Sequence, residues 1–234
     1  MIELLGVGVM DPAGGWQLRR VTATLEAGTL VAVLSTPPVH AEALLAAISG
    51  QRVPDEGRIW IDGLPLIRQT ASRVRRRIAD IDAAQPLQRS ASVVDTVSWM
   101  SRRRRWLSLL TEPAGAHRDA VLRSLATVGL IDRSRVRVGE ISDVDRVLLR
   151  CAGALTRPVT AVVIRNIDQC VCADAMAHVL QRLRMLARQR RITIVAGATD
   201  AVTAAGVSDR VVWLSQGRLL DRGAIAAGRC PEPA

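Results

Sequence analysis

The chain of 234 residues is 49% apolar and 23% charged, a balance that gives a domain-sized core and excludes both a disordered tail and a disulfide miniprotein. Its formal net charge of +10 rests on arginine alone, because lysine is absent along with phenylalanine and tyrosine, so chemistry that needs an ammonium group is excluded. Such a balance favours an acidic partner, nucleic acid or an anionic membrane surface.

The first elements read as short strands: Ile2 to Val9, Arg20 to Leu25, and, past a turn at Glu26-Ala27-Gly28, the apolar run Thr29 to Leu34. A loop with two prolines, Ser35 to Val39, leads into AEALLAAISG, whose Ala and Leu content predicts a helix closed by Gly50. Asp62-Gly63 is a hairpin signal joining Gly57 to Ile61 with Leu64 to Ile67. From Val93 to about Gly129 the apolar spacing is helical, and a further helix is expected over Asp143 to Leu155. Then come Thr160 to Ile164 as a buried strand, Ala173 to Arg190 as an amphipathic helix, and Ile192 to Ala196 and Val211 to Leu214 as strands. That alternation predicts a parallel sheet with helices on its faces.

The longest window without a charge, Ala27 to Ala41, is too short to span a bilayer, and the N-terminus has no basic segment leading into an apolar one. Both point to a cytoplasmic location, where Cys151, Cys170, Cys172 and Cys230 are free thiols; Cys170 and Cys172 are spaced too closely for a structural zinc site. The arginine clusters 73–77, 102–105 and 188–191 read as solvated helix faces. The second is set apart by its flanking Trp99 and Trp106.

Several phrases together, LEAGTLVAVL, LLAAISGQRVPDEGRIWIDGLPL, VGEISDVDRVLLRCAGAL, PVTAVVI and DRVVWLSQGR, resemble the ATP-binding cassette (ABC) ATPases over nearly the whole chain. The resemblance implies an α/β fold with a P-loop NTPase-like core, a mixed or parallel sheet, an N-terminal antiparallel β subdomain and a helical insert at about 87–150. It also implies one such domain over 1–234.

At the family's functional positions the residues differ. Where a phosphate loop needs glycines, a lysine and a metal-binding hydroxyl, this chain has Ser35-Thr36-Pro37-Pro38-Val39-His40-Ala41-Glu42, with Ala41 for the lysine and Glu42 for the hydroxyl. The two prolines also remove N–H donors. After the Thr160 to Ile164 strand, Arg165 replaces the metal-binding carboxylate and Asn166 the carboxylate that activates water. Thr199 stands at the position of the histidine that contacts the terminal phosphate. The glutamine of the family's glutamine loop falls on Ala83 in a gapless match, or on Gln85 with a shift of two. Met10 matches the aromatic residue that stacks on adenine, with Trp16 a displaced substitute. The signature segment, which caps a nucleotide on the opposite subunit of a head-to-tail dimer, reads Ile141-Ser142-Asp143-Val144-Asp145; Ser142 matches, while Asp143 and Val144 replace glycines.

Glu42 and Arg165 occupy positions that in the family meet around one magnesium ion, so they are expected to pair with each other in that site. The expected protein is then a subunit with no catalytic residues, no metal and no bound cofactor, the family's ligand being ATP with Mg2+. It would partner an active ABC ATPase or a membrane permease, or a second copy of itself, peripheral on the inner face of the cell membrane. The alternatives are an ordinary transport ATPase and an arginine-rich nucleic-acid binder, the latter without any base-reading motif.

Overall fold

The computed structural model describes residues 1–67, 71–105 and 115–220. Trp106, Cys230 and the middle of the helical stretch expected over 93–129 lie outside them.

β1 (Ile2–Met10) and β2 (Trp16–Leu25) form an antiparallel pair, and β4 (Glu56–Ile61) with the short β5 (Leu64–Pro65) completes a four-stranded sheet in the order β2-β1-β4-β5. β3 (Leu30–Thr36) leaves for a second sheet, because Leu30 to Leu34 are apolar on both faces and all buried, the signature of a central parallel strand. That sheet has the order β10-β9-β3-β8-β7-β6, from β6 (Ile78–Asp82), β7 (Ala161–Arg165), β8 (Thr193–Gly197), β9 (Arg210–Ser215) and β10 (Arg218–Leu219). All its pairings are parallel except β9 with β10, as the alternation of strands and helices predicted. The architecture is the expected α/β one, an antiparallel sheet beside a mostly parallel one.

Between the sheets lies α1 (Val39–Ile48), whose Ala43, Leu44, Leu45, Ala47 and Ile48 pack against both. The opposite face of the parallel sheet is covered by α5 (Asp143–Leu155) and α6 (Ala173–Arg190), both with the bounds read from their periodicity. Ser142 caps α5, its Oγ accepting from the Asp145 amide at 3.1 Å, so the surviving signature serine has a local structural role. α3 (Val93–Arg105) and α4 (Ala116–Thr127) pack on each other and on α5. α2 (Ala71–Arg77) carries the first arginine cluster, read as a helix face, whereas β6 and α7 (Ala201–Val207) were not expected. No helix among the described residues is long and apolar enough to cross a membrane.

Candidate functional site

A small cavity of about 130 Å³ opens where β3 runs into α1, and it collects many of the positions singled out in the sequence. Ser35, Ala41 and Glu42 line it from one side, Arg165 and Asn166 from the end of β7, and Thr199 from the segment after β8. The topology dictates this meeting, since β3, β8 and β7 are neighbours in the sheet and their carboxyl ends emerge together. His40 does not join them. Its ring is buried and its Nδ1–H donates to the Gln17 carbonyl at 2.7 Å. Ser142, Asp143 and Val144 lie elsewhere on the chain's surface, with Asp143 paired to Arg146 and Asp145 to Arg133 at 2.5 Å.

The loop before α1 satisfies itself. Ser35 Oγ donates to the Pro37 carbonyl at 2.8 Å and accepts from the Ala41 amide at 2.9 Å. The His40 amide donates to the Pro37 carbonyl at 3.4 Å and the Glu42 amide to the Pro38 carbonyl at 3.1 Å. With Pro37 and Pro38 carrying no N–H at all, the start of α1 offers a phosphate few of the convergent amides that make helix N-termini anion sites.

The expected Glu42–Arg165 pair is not formed. Arg165 turns along the sheet to Asp80 on β6, Nε to Oδ1 and Nη2 to Oδ2 both at 3.1 Å, a forked guanidinium–carboxylate contact. Gln51 Nε2 donates to the same Asp80 carboxylate. The reason is register: Asp82 sits directly opposite Arg165 and Asp80 opposite Val163, so Arg165 meets a nearer carboxylate on the neighbouring strand than across the cavity. Asn166, in left-handed backbone at φ 56, donates from Nδ2 to Asp82 Oδ1 at 3.0 Å, and Asp82 also accepts the Ala84 amide at 3.1 Å. Glu42 remains exposed, and Asp168 adds a second carboxylate to the cavity lining. Sequence reading did not find Asp80 or Asp82; the signal was the I-A-D-I-D alternation itself.

Mg-ATP does not fit these residues. The cavity they line holds about 130 Å³. Its lining sets Glu42 and Asp168 against one guanidinium that Asp80 already neutralises, so a polyphosphate would meet net repulsion. No group of three or more metal-ligating side chains exists among the described residues.

On the far side of Asp80 lies a groove of about 490 Å³, with Gln85, Trp99, Met100 and Arg150 among its lining residues. Of the two candidates for the glutamine loop, Ala83 is buried and Gln85 lines this groove. Arg150 is largely buried and donates to the carbonyls of Arg146, at 3.3 Å, and Gln85. Burial pushes its guanidinium below the ordinary value, against the opposing pull of Cys170 and Asp82.

No protein-family model matches the chain. It is 25% identical over 208 residues to the methionine import ATP-binding protein MetN 2 of Rhodococcus jostii, an alignment covering 88% of this chain and 59% of that protein. It is 23% identical over 225 residues to the phosphonates import ATP-binding protein PhnC 2 of a Synechococcus strain, covering 94% and 84%. The chain thus spans about three-fifths of the methionine-import relative. In three dimensions it superposes on cbiO1 of Clostridium perfringens, described as part of the ABC transporter complex cbiONQ, with TM-score 0.82 at 18% identity over 97% of this chain and 90% of that one. The dimeric ABC transporter cassette MJ0796 gives TM-score 0.68 at 18% identity, over 94% of this chain and 97% of that one. The fold is therefore that of the ABC ATPases, and the sequence is similar to those of import ATP-binding proteins.

Proposed function

We propose that this chain, an ABC ATPase by fold, is a transporter subunit that does not hydrolyse ATP and acts as a structural or regulatory partner of an active ATPase or a membrane permease at the cytoplasmic face. The observation that carries this reading is the self-satisfied start of α1 beside a cavity lined by Glu42 and Asp168. Phosphoryl transfer needs a positive cradle, a metal and a positioned water; removing these groups costs orders of magnitude each. Here the guanidinium of Arg165 is taken by Asp80, Ala41 carries no charge, and Asn166 cannot take a proton from water. The groove beside Trp99 and Gln85 supports attachment to a permease, since the resemblance places the permease contact between the core and the helical insert.

A phosphate-release assay tests this. The purified chain, alone and with its permease, gives no release above that of the Asn166→Ala variant. Turnover of about 1 s⁻¹ or faster, in the ordinary enzyme range, overturns it. The second reading, an ordinary import ATPase, is favoured by the names of the sequence relatives and predicts that turnover.

A further inference from the structure

The edge of the antiparallel sheet carries a separate basic groove. β2 is not a regular strand: its partners on β1 step from Leu18 opposite Val9 to Val21 opposite Val7, so β2 holds one extra residue. The irregularity falls at Arg19-Arg20, where Arg20 adopts φ 51. Strict alternation would send one of two consecutive side chains into the core. The bulge instead leaves both arginines exposed while Leu18 and Val21 are both buried. Holding a long side chain in left-handed backbone is costly, and such costs gather at functional sites.

A third arginine is brought alongside by the turn between β9 and β10. The Arg19 amide donates to the Gly217 carbonyl at 2.7 Å, and Gly217, at φ 73, approaches β2 so closely that a Cβ would lie 2.6 Å from the Gln17 oxygen. The next residue, Arg218, therefore joins Arg19 and Arg20 around a groove of about 690 Å³ that Trp16, Thr22 and Glu56 also line. Trp16 is held against the backbone of β1, where a Cβ on Gly8 would meet its ring at 2.8 Å. None of the three guanidiniums has a carboxylate partner among the described residues. Three guanidiniums and the one carboxylate of Glu56 leave two positive charges.

We propose that this groove binds a small ligand carrying two or more phosphate groups. Planar guanidiniums pair with phosphate oxygens in a forked geometry, and an open groove of this volume admits a small molecule. The groove shares no lining residue with the cavity at α1, and of the family's nucleotide positions only Trp16, the displaced substitute for the adenine-stacking aromatic, lines it.

Calorimetric titration of the full chain with inorganic tripolyphosphate at low salt tests it. One saturable site is expected in the wild type, weakened about 100-fold or more in R19A/R20A/R218A, with Arg218→Ala alone carrying the test if the triple variant does not fold. Arg20→Gly suits the left-handed backbone, so it is expected to raise the melting temperature while weakening binding about tenfold, a combination a purely structural arginine would not give. Absence of binding up to millimolar tripolyphosphate overturns the proposal. So does affinity unchanged in the arginine variants, or association with anionic-lipid vesicles but not with tripolyphosphate.

Discussion

Arg165 and Asp80 form a forked ion pair across two neighbouring parallel strands, 3.1 Å at each of its two contacts, with side chains only 26% and 19% exposed. The pair occupies the guanidinium that would otherwise be the cavity's free positive charge. A double-mutant cycle with Arg165→Gln and Asp80→Asn, followed by urea unfolding, is expected to give about 1 to 3 kcal/mol for each single change and a coupling of about 1 kcal/mol. Glu42→Gln, at an exposed position without a partner, is expected to change stability by about 0.5 kcal/mol or less.

Restoring two family residues should not restore chemistry. The A41K/E42S variant supplies an ammonium and a hydroxyl but leaves Arg165, Asn166 and the two prolines, so no hydrolysis is expected in the phosphate-release assay. Turnover in that variant would show that the loop, rather than the whole cavity, limits activity.

The helical parts of the fold were legible because their signals are local. α6 runs over Ala173–Arg190 as its 3.6-residue periodicity indicated, and α5 starts after Ser142, a side-chain cap. β6 escaped notice because Asp80 and Asp82 are poor strand formers, tolerated there by Arg165 and Asn166 at the end of β7, more than eighty residues away. The mispairing of Glu42 followed from that omission: Arg165's nearer partner lay on an unread element. The start of β2 was missed for a related reason. The bulge at Arg20 breaks the period-two pattern, so only the regular half, Arg20 to Leu25, read as a strand.

Acid should weaken the fold through Asp209. Burial pushes its carboxyl up, but the Leu30 amide at 3.0 Å and the guanidiniums of Arg184 and Arg188 at 2.7 and 2.8 Å outweigh that, and the group lies below the ordinary carboxylate value. A depressed folded value means its contribution is fully present above about pH 4 and is lost as pH falls through the folded value. Denaturation midpoints measured from pH 6 down to pH 2 should fall more steeply for the wild type than for Asp209→Asn, which should itself be less stable at pH 6 by about 1 to 3 kcal/mol.

Cys151 should be chemically silent in the native protein. It is fully buried, and burial pushes its thiol up to about 12, so almost no thiolate exists near neutrality. Iodoacetamide labelling followed by mass spectrometry at pH 8 is expected to modify the exposed Cys172 readily and Cys151 only at the rate of unfolding. Modification of both at equal rates in the native state would contradict the packing described.

Gly217 should not accept a side chain. Gly217→Ala places a Cβ against the Gln17 carbonyl in left-handed backbone, so a loss of about 1 to 3 kcal/mol is expected in thermal unfolding, together with weaker tripolyphosphate binding as Arg218 shifts.

The cavity at the start of α1 is expected to refuse a magnesium-bound triphosphate. Calorimetry of R19A/R20A/R218A with Mg-ATP isolates that cavity from the basic groove, and no saturable heat is expected up to millimolar nucleotide. Saturable binding at micromolar Mg-ATP in that variant, abolished by enlarging Ala41 to Trp, would contradict it.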